Sequence, residues 1–223
     1  MAIPSNVSVS TNPLVLAKLS QLRSDTVRQL EIKALTSQLT TLLSSEALAN
    51  AFTIAAPFGL QDTTATGEIF EPVTLSPSNV VLAPVLRSGL AMVDSVLSLL
   101  PFENVPVHHL GLFRDKVSLE PVEYYNKLPV LRDGETVDLA IVLDPVIATG
   151  GTASAVIQSL KEWGAKKIIF ISIIGSEQGV TRVASEWPEA VKLYVAAIDP
   201  IISSSGYILP GIGDIGDRLN STS

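Results

Sequence analysis

Residues 141–154 read IVLDPVIATGGTAS. An apolar run ends in an acid, Asp144. Five residues later Thr149, Gly150, Gly151 and Thr152 open a stretch of helical pattern, GGTASAVIQSLKEWGA. Glycines let backbone N–H groups come close to an anion, and a helix N-terminus adds partial positive charge. Threonine hydroxyls can donate as well. Together these residues can cradle a phosphate. They do not form the triphosphate loop G-x-x-x-x-G-K-[ST], because no lysine stands among them. An acid just upstream would repel a polyphosphate but would accept hydrogen bonds from ribose hydroxyls. A ribose carrying one terminal phosphate satisfies both halves of the loop.

Residues 206–218, GYILPGIGDIGDR, are a second candidate. Gly211-Ile-Gly213-Asp-Ile-Gly216 matches G-x-G-x-x-G to the letter. A dinucleotide fingerprint, however, needs a strand before it, a helix after it and an acid about 20 residues further on, and seven residues follow Gly216. The composition instead predicts an exposed irregular segment that holds Asp214 among glycines and lines a small pocket with main-chain amides and carbonyls. Arg87, at a strand end, and Arg114, within a strand pair, could each simply pair with a surface carboxylate; taken together they are also the permanently charged bidentate donors that a diphosphate leaving group needs. His108 and His109 are the only histidines. Adjacent residues of a strand point to opposite faces, and no metal-ligand spacing accompanies these two, so they are read as structural or surface residues. Trp163 and Trp187 are assigned to packing. Tyr124, Tyr125 and Lys127 are assigned to an arm, an interface or the core.

These residues need a scaffold, and the surrounding pattern supplies one. Asn12-Pro13 is a helix start, with asparagine as cap and proline in the first turn. Leucines at helical spacing run from there to about Asn50, with a break near Ser24-Asp25. The first dozen residues are expected to fray, and residues 55–79 to form loops with a short strand near EIFEPV. From residue 79 onward apolar strands (79–87, 137–144, KKIIFISIIG, VKLYVAAID) alternate with helices (88–100 up to Pro101, then GGTASAVIQSLKEWGA and SEQGVTRVASEW). Between them VPVHHLGLFRD and EPVEYYNKL form a strand pair with a charged turn. Continuous apolar strands separated by helices predict an α/β fold around a parallel sheet. Ligands of such sheets gather beyond the strands' carboxyl ends, here after Leu86, Leu143, Ile174 and Ile198.

Composition narrows the function classes. The chain has 223 residues, 47% hydrophobic and 17% charged, with net charge −7, which predicts one well-cored domain. The acidic balance argues against a nucleic-acid partner, whose recognition normally uses a basic face. The lack of cysteine excludes disulfides, thiolate metal sites and cysteine nucleophiles. No apolar run reaches the roughly 18 residues of a membrane span, and no secretory leader is evident, so a cytoplasmic, non-membrane protein is expected.

An apolar strand, an acid and then T-G-G-T resembles the phosphoribosyl-diphosphate (PRPP) signature of type I phosphoribosyltransferases. Most of those families carry a second acid after the first. Here Pro145 follows Asp144, as in the uracil phosphoribosyltransferases, whose usual form is similar to D-P-M-L-A-T-G-G-S. Val146, Ile147 and Thr152 are mild variations on it. P-G-x-G-D-x-G-D-R near the C-terminus resembles the same family, as do residues 83–101 and 111–129. The likeness spans roughly residues 80–218. It implies a type I phosphoribosyltransferase-like parallel sheet flanked by helices, with a β-hairpin arm and a C-terminal hood. The expected organisation is a single domain over 1–223, with N-terminal helices (1–50), the arm (106–130) and a uracil-binding segment (199–218). The implied reaction is uracil plus PRPP to UMP and diphosphate, with Mg²⁺ bound alongside PRPP. The resemblance places PRPP against Arg87, Arg114, Asp144, Pro145, Val146, Ile147, Ala148, Thr149, Gly150, Gly151, Thr152 and Asp214. It places uracil against Ile208, Gly213, Asp214 and Ile215. Catalytic roles fall to Asp144, Arg114 and Asp214, with Asp214 facing Mg²⁺ through water. GTP is a candidate effector, as in some relatives, and a homodimer or homotetramer is the family habit. Ile215 departs from the small residue common at its place. If its side chain points at the base, the pocket is altered; if only its backbone is used, little changes. A transferase for another base and a non-catalytic nucleotide-sensing regulator of the same fold remain open.

Overall fold

The computed structural model describes residues 3–55, 59–114 and 121–222. The elements in chain order are β1 (Val7–Val9), α1 (Pro13–Arg23), α2 (Gln29–Ala51), β2 (Thr53–Ala55), β3 (Asp62–Thr63), β4 (Ile69–Phe70), β5 (Thr74–Ser76) and β6 (Val80–Leu86). A 3₁₀ turn (Ser88–Met92) then runs into α3 (Val93–Leu97). After it come β7 (Leu110–Arg114), β8 (Pro121–Asn126), β9 (Leu139–Leu143), β10 (Val146–Ile147), α4 (Gly151–Trp163), β11 (Ile168–Ser176) and α5 (Glu177–Glu186). The chain closes with β12 (Val191–Asp199), β13 (Ile201–Ile202), β14 (Ile208–Leu209) and α6 (Ile215–Asn220).

The main sheet has the order β1-β12-β11-β9-β6-β7-β8, with β10 also paired to β11. Its pairs are parallel except β7 with β8. Such a sheet is covered on both faces, so its strands are apolar on both. All nine residues of β11 are buried. Side-chain alternation deals the core into two layers. Leu82, Ile141, Ile171 and Tyr194 pack under α1, α2, α3 and α6. Ala83, Val142, Phe170 and Leu193 pack under α4 and α5. From β6 the chain moves outward to β7 and β8; from β9 it moves the opposite way to β11 and β12. The crevice opens where that order diverges, beyond the carboxyl ends of β6 and β9. Among the described residues, no helix is long and apolar enough to cross a membrane.

The expected α/β architecture holds, with three local corrections. Val7–Val9 do not fray. They pair in parallel with Leu193–Val195 as an edge strand, because β12 would otherwise leave its backbone groups unpaired. The helix expected over 88–100 begins as a 3₁₀ turn and its α-helical part stops at Leu97. A Cβ on Gly89 would run into Leu143 O, so this turn lies directly on the end of β9. The segment 206–218 is not irregular throughout: Ile208–Leu209 form β14, and Asp214 caps α6 by accepting from the Asp217 amide at 3.0 Å.

Candidate active site

Asp144 follows β9 and is buried, 8% exposed. Its Oδ1 accepts from the Val146 amide at 3.4 Å. Burial pushes its carboxyl up to about 7, and the weak hydrogen bond from Val146 offsets little of that. Two cavities meet at this residue. One, of about 210 Å³, is formed by the turn from Val146 to Ala153. Gly150 sits in it at φ 78° as the N-cap of α4, and a Cβ there would come within 2.8 Å of Gly179 O. The first helical bond is Ser154 N–H to Gly150 O, 2.8 Å. The amides of Gly151, Thr152 and Ala153 precede it and have no intrahelical acceptor, and all three residues line this cavity.

The start of α5 braces this loop. Ser176 Oγ donates to Ala148 O at 2.6 Å and accepts from Gly179 N–H at 2.8 Å. A Cβ on Gly179 would run into Ala148 O. The sequence motif does not contain Ser176 or Gly179. The only signal for them is that they lie just after Ile174, at a strand's carboxyl end.

The second cavity, of about 340 Å³, lies between Arg87, Asp144 and the C-terminal segment. Ile208, Gly213, Asp214 and Ile215 all line it. Gly213 stands at φ 68°, and among the described residues no hydrogen bond uses its amide or carbonyl. Ile215 lines the cavity yet is buried, 4% exposed, in the same core layer as α2. It therefore forms part of the pocket's apolar wall. Arg87 is exposed and follows a cis peptide bond with Leu86. Its Nη2 pairs with Asp217 at 3.1 Å, and Asp217 also accepts from the Thr222 hydroxyl at 2.6 Å. Those two donors, Thr222 first, hold the Asp217 carboxyl below the usual range. Sequence reasoning missed Asp217, whose partner is 130 positions away. Arg114 closes β7; its side chain lies outside what the structure describes, as do residues 115–120 of the arm. Pro145 and Ile147 are buried, and Ala148, Thr149 and Thr152 are half-buried.

The family model for uracil phosphoribosyltransferase matches residues 9–222. The chain belongs to the uracil phosphoribosyltransferase family. A uracil phosphoribosyltransferase of Roseiflexus sp. strain RS-1 is 42% identical over 225 residues, covering 98% of this chain and 99% of that one. One from Finegoldia magna is 40% identical over 224 residues, with 98% and 99% covered. The solved structure of the AQ2163 protein from Aquifex aeolicus aligns with a TM-score of 0.85 at 28% identity, covering 97% of this chain and 99% of that chain. The match therefore extends well before residue 80, and the N-terminal helices belong to the family's pattern too. Among the described residues of this phosphoribosyltransferase, no cluster of three His, Cys, Asp or Glu side chains could hold a metal ion.

Proposed function

We propose that this phosphoribosyltransferase transfers the phosphoribosyl group of PRPP to N1 of uracil, giving UMP and diphosphate, a pyrimidine-salvage step. One observation carries the reading. A phosphate-sized turn and a base-sized cavity share one buried carboxylate, Asp144. The 5′-phosphate is assigned to the Ala148–Thr152 turn and the ribose hydroxyls to Asp144. Arg87 and Arg114 are assigned to the diphosphate, which would draw Arg87 away from Asp217. Gly213 is assigned to the uracil edge. Its N–H can donate to a ring carbonyl and its C=O can accept from N3–H, within a wall formed by Ile208 and Ile215. As N1 bonds to C1′, the C1′–O bond to diphosphate breaks and the N1 proton is released. Positive charge gathers on the sugar, next to the Asp144 carboxylate. No general base is assigned to the released proton, and most of the rate is assigned to positioning and charge stabilisation.

Mg²⁺ fits this donor set as a PRPP-borne ion. It keeps several waters and takes one or two carboxylates beside phosphate oxygens, and Asp214 is an exposed carboxylate on the cavity wall. When bound, the ion would neutralise charge developing on the diphosphate. A cytoplasmic location, a homodimer or homotetramer and GTP as effector belong to the same reading and rest on family resemblance.

The test is product formation with Mg²⁺, PRPP and an equimolar mixture of uracil, cytosine, adenine, guanine, hypoxanthine and orotate. UMP as sole product is expected. Another nucleotide would overturn the assignment of the base cavity. PRPP binding without any product would favour a sensor.

A further inference from the structure

The segment that would read the base has little regular structure to hold it. Its only strand pairing is the two-residue ribbon of β13 with β14, and Gly211 and Gly213 both stand at positive φ, 66° and 68°. Glycines in such positions have wide conformational freedom. A main-chain recognition surface built on them must be immobilised from outside, or binding must supply the ordering itself.

Two arginines provide that immobilisation, and neither lines the cavity. Arg23 is the last residue of α1. Its Nη1 and Nη2 donate to the two carboxylate oxygens of Asp199 at 2.7 and 2.8 Å, and Nη1 also donates to Gly211 O at 2.8 Å. Asp199, at the end of β12, accepts from the Gly211 amide at 2.8 Å. Both polar groups of Gly211 are thereby tied to one ion pair whose carboxylate is buried and whose guanidinium is half-buried. Arg218, from α6, donates through Nη1 to Ile212 O and Leu22 O, each at 2.7 Å, and through Nη2 to Ser24 O at 2.7 Å. Leu22 and Ser24 lie at the C-terminus of α1, where helix carbonyls lack intrahelical donors and the dipole favours cations. The carbonyls of Gly211 and Ile212 are thus occupied, which fixes the Ile212–Gly213 peptide that carries the Gly213 N–H, and Gly213 itself lines the cavity.

We infer that Arg23 and Arg218 are positioning residues for base recognition. They lock the main chain of Gly211 and Ile212 to the end of α1 and beside β12, so that the Gly213 peptide is presented in one orientation. The inference rests on the reading of that cavity as the uracil site. The two arginines engage consecutive carbonyls, at Gly211 and Ile212, immediately before the residue that lines the cavity. Moreover, α1 is already anchored in the core by Val15, Leu19 and Leu22.

The experiment compares wild type, Arg23→Ala and the conservative Arg23→Lys. It measures KM for uracil and for PRPP, kcat, and amide exchange over 206–214 in the ligand-free protein. Arg23→Ala is expected to raise KM for uracil about ten-fold or more, with KM for PRPP within about two-fold. Exchange in 206–214 should accelerate by about ten-fold or more. Lysine cannot reproduce the planar fork, so Arg23→Lys should fall between the two. Arg23→Ala leaves Asp199 buried without its cation and can fail to fold. In that event Arg23→Met/Asp199→Asn, which removes both charges, is expected to show the same split. Equal rises in both KM values, or unchanged exchange in 206–214, would overturn the inference. If wild type forms no UMP, the functional reading falls, and the exchange data alone then judge the clamp.

Discussion

Replacing Asp144 by asparagine is expected to stabilise the ligand-free protein while disabling it. In the fold the carboxyl holds its proton up to about 7, against an ordinary value of 3.8. The unfolded chain therefore releases that proton at lower pH than the folded chain does. Between those values the folded state binds more protons, so stability declines as pH rises, and the full cost is present above pH 7. A shift of that size corresponds to at most about 4 kcal/mol, at 1.36 kcal/mol per pH unit. Asparagine carries no such penalty and keeps an oxygen for the Val146 amide. For a chain of this size each kcal/mol moves Tm by about 2–4 °C. At pH 8 without PRPP or Mg²⁺, Asp144→Asn should melt several degrees above wild type, with about 16 °C as the ceiling. The difference should vanish near pH 4. Each charge-assisted bond to a ribose hydroxyl that is weakened should cost about ten- to hundred-fold in kcat/KM. The assay is a series of melting curves for both proteins from pH 4 to 8.5, paired with initial rates. A variant that melts below wild type at pH 8, or a Tm difference independent of pH, would refute the reasoning.

Three further substitutions probe the neighbouring geometry. Gly179→Ala drives a methyl into Ala148 O, so KM for PRPP should rise about ten-fold or more with KM for uracil little changed, as read from steady-state kinetics. Asp217→Asn weakens the pair that holds Arg87. KM for PRPP should fall a few-fold, with the change shrinking at high salt; a rise would show that Asp217 orients Arg87 instead of competing for it. Ile215→Ala removes a buried wall of the base cavity. It should cost about 2–4 kcal/mol in denaturant melts and admit 5-substituted uracils more readily in a competition assay.

The sequence by itself determined the phosphate turn, its acid and the strands that carry them. Asp144, Thr149, Gly150, Gly151 and Thr152 lie within nine consecutive residues, and a strand, a tight turn and a helix N-terminus are local structures specified by local residue types. The helix start at Asn12-Pro13 and the stop at Gly164, with φ 112°, were legible for the same reason. Tertiary structure decided what depends on residues distant in sequence. The edge strand at Val7–Val9 exists because β12 offers a partner nearly 190 positions away. The 3₁₀ turn at Ser88–Met92 follows from the approach of Gly89 to β9. The elevated proton affinity of Asp144 arises from burial, which no spacing encodes. Ile215 could be placed only once α6 packed into the core, and Arg23 met Asp199 and Gly211 only when the two ends of the chain were brought together. A motif records which groups are available to the chemistry; the closure of long loops, governed by packing of the whole sheet, fixes which of them face the ligand and which hold the others still.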